Sequence, residues 1–370
     1  MKKIFLSLIM IMVLLLTGCG GVNEEKLKSN FNSNVKDLKS YYLTGTLSVN
    51  NNDDTYNYDV SVSYAEPDNF KVVLLNKANN YEQIILRNET GVYVINTSLN
   101  KSFKFQSEWP YNNSQSYLLQ SLMNDLKADD DYEFFEKDGN YVFQVDVDYP
   151  NNSELVKQNI HLDKKANLKY VEVLDSNDIP RITFKVANLD TKADFKDDYF
   201  EIDEMINDEE QKNNETGEDK TEINNDKTTN ENKDKTTNED KTNIDDPNAD
   251  TTTTNKIEDA LFPLYLPTNT SLSNREVIKT DVGERVIMTF SGDSSFILVQ
   301  ENVSKEEEFT VVPSYGEPYL LIDTIGALTD TSYTWISNGI EYYIVSDVLS
   351  QDEMLEVAKS INVVATLGEK

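Results

Sequence analysis

The sequence predicts an α+β protein: one large, curved antiparallel sheet packed on helices, then a smaller α+β block beyond a polar linker. Three observations predict it. Run after run of residues between 43 and 186 alternates apolar with polar, the signature of a half-buried antiparallel strand. Only two stretches there repeat at helical spacing. Between Ile206 and Lys256 the composition breaks to Asn, Asp, Glu, Lys and Thr, with no aromatic residue.

The chain opens on Met1-Lys2-Lys3 and an apolar run from Ile4 to Leu16 broken by Ser7. Two positive charges, a short apolar core and small residues read as a secretory signal. The run is shorter than the ~20 residues of a spanning helix. Leu16-Thr17-Gly18-Cys19 resembles a lipobox, so residues 1–18 are expected to be a lipoprotein signal peptide. Cys19 is then the lipidated first residue of an anchored 19–23 segment. This places the chain on the outer face of the cell membrane, and its Asn-, Lys- and Ile-rich composition suggests a Gram-positive source. Two acyl chains supply the two signals that stable anchoring needs. Cys19 is the single cysteine, so no intramolecular disulfide supports the fold.

A helix is expected first, on the stripe Leu27, Phe31, Val35 and Leu38. Strands follow at 43–49, 56–64, 70–75, 82–87, 92–96, 102–105, 132–136, 141–149, 156–162, 169–175 and 181–186. Glu89-Thr90-Gly91, Lys137-Asp138-Gly139-Asn140 and Lys164-Lys165-Ala166-Asn167 read as hairpin turns. A second helix, about 114–127, turns Tyr117, Leu118, Leu122 and Leu126 inward. Residues 24–205 thus form the first block. Residues 206–256, with Asp-Lys-Thr recurring at 219, 226, 234 and 240, cannot bury enough apolar surface to offset their ordering entropy. They read as a disordered acidic linker spanning roughly 40 Å.

Residues 257–366 form the second block. Strands are expected at 275–280, 284–290 and 295–301. Trp335 to Val345 reads as a hairpin about Asn338-Gly339, the preferred two-residue turn. Ser350-Gln351-Asp352-Glu353 is a capping box opening a last helix with Met354, Leu355, Val357, Ala358 and Ile361 on its apolar face.

The first block resembles the LolA/LppX-like lipoprotein-sorting family. The residues that carry the likeness are Leu38-Lys39-Ser40-Tyr41-Tyr42 running into Thr44-Gly45-Thr46-Leu47, then Tyr64 to Val72 around Pro67, then Asn88 to Asn96 followed by Lys101–Phe105. It is most similar to the lipid-anchored sporulation and germination lipoproteins of Gram-positive bacteria. The resemblance implies an open β-barrel cupping a hydrophobic cavity that holds acyl chains. Leu43, Leu47, Val60, Val62, Val72, Leu74, Phe143 and Val145 are the candidate cavity residues; the same alternation also fits side chains packed on the two helices. The second block resembles a C-terminal domain of unknown function shared with anti-sigma-factor-like proteins, on Trp335, Gly339, Tyr342, Ile344 and Ser346, then Ser350, Glu353, Leu355, Ala358, Ser360 and Ile361. Trp335 is a candidate partner contact, or a hairpin residue packed on the last helix.

No enzyme declares itself. The one histidine, His161, lies in a strand without a G-x-S-x-G elbow elsewhere. Zinc is disfavoured by one His and one Cys, no P-loop or dinucleotide motif is present, and no cofactor is expected. The clusters Asp129-Asp130-Asp131 and Asp197-Asp198 lack the calcium-loop spacing. The formal charge of −32 becomes −34 once residues 1–18 with their two lysines are gone; it excludes a nucleic-acid partner and holds the chain off an anionic membrane. The expectation is therefore a non-catalytic envelope lipoprotein that binds a hydrophobic ligand or an envelope protein partner. Its setting would be sporulation, germination or cell-wall processing. A lipid or lipoprotein carrier and a cell-wall hydrolase are the alternatives.

Overall fold

The computed structural model describes residues 22–51, 54–112, 114–147, 149, 152, 154–202, 257, 260–321 and 324–367. The signal segment, Cys19 and the 206–256 linker lie outside the described residues.

The first helix, α1 (Glu24–Lys36), forms where the sequence places it. The Asn23 side chain accepts from Lys26 N–H at 2.7 Å, Glu24 and Glu25 sit in the first turn and Lys36 in the last, all favourable to the helix dipole. Leu27, Phe31 and Val35 are buried. Strands β1 (Ser40–Asn51), β2 (Asp54–Ala65), β3 (Asn69–Asn76), β4 (Glu82–Asn88), β5 (Gly91–Asn96) and β6 (Lys101–Phe105) then meander antiparallel. The helix expected over 114–127 is α2 (Leu119–Ala128). Residues 114–118 serve as its approach instead: Gln115 N–H donates to Ser121 Oγ at 2.7 Å and Ser114 Oγ to Asp125 Oδ1 at 3.1 Å. Side-chain bonds of this kind compete with helix and favour its start. Strands β7 (Glu133–Lys137), β8 (Asn140–Asp146), β9 (Leu155–Leu162), β10 (Leu168–Asp175) and β11 (Pro180–Asp190) complete the sheet, β11 closing back on β1.

At Gly45 the β1–β11 register shifts, and an added Cβ would lie 2.4 Å from Lys185 O and 2.6 Å from the Phe184 ring. Glycine is required there because the Phe184 ring crosses the strand where an apolar side chain is due. Strands β4 and β5 are buried on both faces, which explains their near-continuous apolar runs. Their outer side chains Ile84, Leu86, Tyr93 and Ile95 are covered by Phe195, Tyr199 and Phe200.

Beyond the linker come β12 (Thr270–Thr280), β13 (Gly283–Gly292), β14 (Phe296–Asn302), β15 (Thr310–Ser314), β16 (Glu317–Leu320), β17 (Ile325–Leu328), β18 (Ser332–Ser337), β19 (Ile340–Val345) and α3 (Gln351–Leu367). Asn338 and Gly339 take φ of 51° and 75°, as the tight hairpin needs. The capping box forms: Ser350 N–H donates to Glu353 Oε2 at 3.0 Å and Glu353 N–H to Ser350 Oγ at 3.2 Å. Strands β15 to β17 were not expected, because each is four or five residues long and two contain proline, which marks an edge or a non-strand.

The second sheet runs β12-β13-β14-β19-β18-β17-β16. Strand β15 does not join it. It pairs parallel with β6, making the first sheet twelve-stranded in the order β15-β6-β5-β4-β3-β2-β1-β11-β10-β9-β8-β7. That sheet is large, curved and not closed into a barrel. The two stretches separated by the linker are therefore joined in space.

Candidate functional site

The seam between the two sheets holds the best-formed site. Thr310 N–H donates to Asn100 O at 2.9 Å, and parallel alternation turns the N–H groups of Val312 and Ser314 the same way. Pro313, which has no N–H to give, then falls on the open side of the edge strand. Next to β15, Lys101 pairs with Glu306 at 2.9 Å, Asn100 Nδ2 donates to Glu306 O at 2.9 Å, and Ser107 bonds Glu317.

Deeper in the seam, Gln83 carries the join. Its Oε1 accepts from Ile325 N–H at 2.7 Å and its Nε2 donates to Thr324 Oγ1 at 3.1 Å. Thr324 Oγ1 donates in turn to Ile336 O at 2.8 Å. Every group in this chain is buried, where an unmade hydrogen bond is most costly.

Two cavities flank Ile325, which lines both. The first, about 170 Å³, lies between the concave face of the large sheet and the second block. Leu47 and Val49 of β1, Ile85 of β4 and Ile182 of β11 form one wall; Pro318 to Leu321 and Ile325 form the other. Three of its four charged neighbours are paired, and the fourth, Glu154, makes no ion pair among the described residues. Arg181 gives two N–H groups to Asp175 Oδ2, each at 2.8 Å, and Lys359 meets Glu356 at 2.7 Å. Burial pushes the Tyr149 and Tyr319 phenols up, so both stay neutral donors. A wall of this kind accepts an apolar group, and the Glu154 carboxylate in its lining disfavours an anionic one.

The second cavity, about 310 Å³, is bounded by Phe103, Phe105, Tyr315 and Tyr343, with Glu341 at its side. Burial raises the Glu341 carboxyl above its usual range; Lys101 opposes this and Glu301 reinforces it.

Of the sequence candidates, Leu43, Val60, Val62, Val72, Leu74, Phe143 and Val145 are all buried in one core with Leu27, Phe31 and Val35 of α1 and Leu119, Leu122 and Leu126 of α2. Leu47 belongs to that core and also reaches the first cavity. Trp335 is 1 % exposed and stacked between Tyr333 and Tyr342, with ring centroids 5.1 and 4.9 Å away. Gln83, Ile325 and the Pro318–Leu321 wall were not singled out from sequence. A polar residue among Ile84, Ile85 and Leu86 was the one signal for Gln83, and its partner lies 241 residues away.

His161 is fully buried on the opposite face of its strand from Ile160 and Leu162, and it lines neither cavity. Its Nε2 meets Glu172 Oε2 at 3.0 Å and its ring stacks on Tyr170 at 3.7 Å. Burial lowers its pKa, and Glu172 works the other way. Among the described residues no three His, Cys, Asp or Glu side chains converge on a metal position, and no helix is long and apolar enough to cross a membrane.

No family model matches the chain. Among solved structures it is similar to the Pseudomonas aeruginosa MucA/MucB complex, at 12% identity over 90% of this chain and 97% of that one, with a TM-score of 0.29. It is also similar to a LolA superfamily protein from Nitrosomonas europaea, at 10% identity over 50% of this chain and 100% of that one, TM-score 0.29. A third is the Clostridioides difficile CwlD amidase in complex with the GerS lipoprotein, at 16% identity over 48% and 98%, TM-score 0.22. Sequence is firmer ground: the chain is 32% identical to the sporulation protein YdcC of Bacillus subtilis over 371 residues, 98% of each chain. On that full-length match, the chain belongs to the family of this sporulation protein.

Proposed function

We propose that the chain is a non-catalytic lipoprotein of the cell envelope, anchored through Cys19 and acting in sporulation, whose seam cavity receives an apolar group from an envelope protein partner. The observation that carries this reading is the first cavity itself: apolar walls from two sheets, with Arg181, Lys359 and Glu356 already paired and neutral phenols among the polar contacts. At about 170 Å³ it has room for one large side chain or the end of one acyl chain. A buried pocket of that size is what a single anchoring side chain fills at an interface. Its size argues against a carrier that must shelter a whole lipid. The role in sporulation is supported by the relative's name, and the anchor by the lipobox ending in Cys19.

The test is purification of the anchored chain from the envelope fraction of sporulating cells, followed by native mass spectrometry and organic extraction. A stoichiometric protein that is lost from the Val49→Phe variant, which fills the cavity, is the expected result. A stoichiometric lipid would shift the reading to lipid binding. Neither protein nor lipid would overturn it.

A further inference from the structure

Against a charge of −32, one groove of the molecule is basic. It lies between α1 and α2, holds about 410 Å³, and is lined by Lys28, Lys36 and Lys127 with Ser29, Asn32 and Ser33. Glu25 is its one acidic lining residue. None of the three lysines makes an ion pair among the described residues. Lys28 is held over the Tyr132 ring, 3.8 Å from its centroid, which fixes its ammonium at the groove. The carboxylate of Asp129, just past α2, accepts from the N–H groups of Asp131 at 2.8 Å and Asp146 at 2.9 Å. Asn32 Oδ1 is buried with no donor.

We propose that this groove is a docking surface for an anionic phospholipid bilayer, its lysines on the headgroup phosphates. The proposal rests on the anchor at Cys19, which decides what the groove meets. Helix α1 begins five residues after that cysteine, so an extended chain places it no farther than about 18 Å from the lipid. Near an anionic surface the acidic remainder is repelled and the basic groove attracted, and both forces turn the molecule the same way. The net charge alone suggested that the lipid would be the sole contact with the membrane; the distribution of charge reverses that. The lysines and serines supply donors for phosphate.

The test uses the mature chain, residues 20–370, with an N-terminal histidine tag held by nickel-chelating lipid on vesicles. One set is phosphatidylcholine; the other also contains phosphatidylglycerol. Lysines are labelled with an amine reagent and read one by one by mass spectrometry. Lys28, Lys36 and Lys127 should label about fivefold more slowly on the phosphatidylglycerol vesicles, while Lys77 and Lys192 keep their rates. Equal rates on both vesicles, or a uniform slowing of all lysines, overturns the proposal. So does the same slowing by glycerophosphate without vesicles, which would mark a small-molecule site. Because the tag supplies the tether, the result does not depend on lipidation, which the mass of the mature N-terminus reads separately.

Discussion

At the scale of the residue, two buried polar side chains are informative because each has few alternatives. Gln83 satisfies Ile325 N–H and Thr324 Oγ1 across the seam. Gln83→Ala leaves that backbone N–H buried and unmade, a loss of about 1–3 kcal/mol, to be measured by denaturant unfolding of the mature chain. Substitution at the exposed Lys192 should change nothing. His161 gives a pH dependence of known sign. Its folded pKa lies below the usual 6.5 because burial disfavours the imidazolium, with Lys137 adding to this and Glu172 and Asp138 opposing. The unfolded chain therefore binds the proton first, and stability falls as pH drops below 6.5. For Glu172, burial acts upward, but hydrogen bonds from Asn159 and His161 together with Lys137 outweigh it and hold the carboxyl below 4.5. Its contribution is present above 4.5 and lost as pH falls below it. His161→Phe, which keeps a ring on Tyr170, should flatten the stability profile as pH falls below about 6.5; an unchanged slope there would assign the dependence to other groups.

At the scale of the element, strands with one wet face are legible by their alternation, and β4 and β5, covered on both faces, by their near-continuous apolar runs. Tyr58, Val60 and Val62 alternate with Asp59 and Ser61 because β2 has a core on one side and solvent on the other, and the alternation reports both. The capping box at Ser350 and the Asn338-Gly339 turn were equally legible, since each is a local solution to a local need. Strand β15 was not. Thr310 to Ser314 carries a proline and no clear alternation, and it becomes a strand only because β6 offers it an edge. The edge pairing predicts its own disruption. Val312→Pro removes an N–H directed at β6, and should split the unfolding of the mature chain into two transitions by calorimetry. Pro313, on the open side, should tolerate alanine without effect. A single unchanged transition for Val312→Pro would mean that β15 does not join the blocks.

At the scale of the whole molecule, the sequence divides the chain at residues 206–256, yet the described residues on either side share one sheet and bound one pair of cavities. That is why the candidate site was only partly legible. Leu47 was found by its place on an alternating strand. The opposite wall, Pro318 to Leu321, is brought there by pairing between residues some two hundred positions apart, which no local pattern records. The candidates Leu43, Val60, Val62, Val72, Leu74, Phe143 and Val145 are packed against the helices, and the space for an occupant lies at the seam. The most direct test of a working seam is titration of the mature chain with a neutral apolar fluorophore that stands in for the partner's apolar group and whose emission rises in apolar surroundings. Wild type should bind one equivalent, and Val49→Phe, matched for unfolding midpoint, should bind at least about tenfold more weakly, the cost of excluding one apolar group from its pocket. Equal binding by the two proteins would place any hydrophobic ligand elsewhere and contradict the seam as the site.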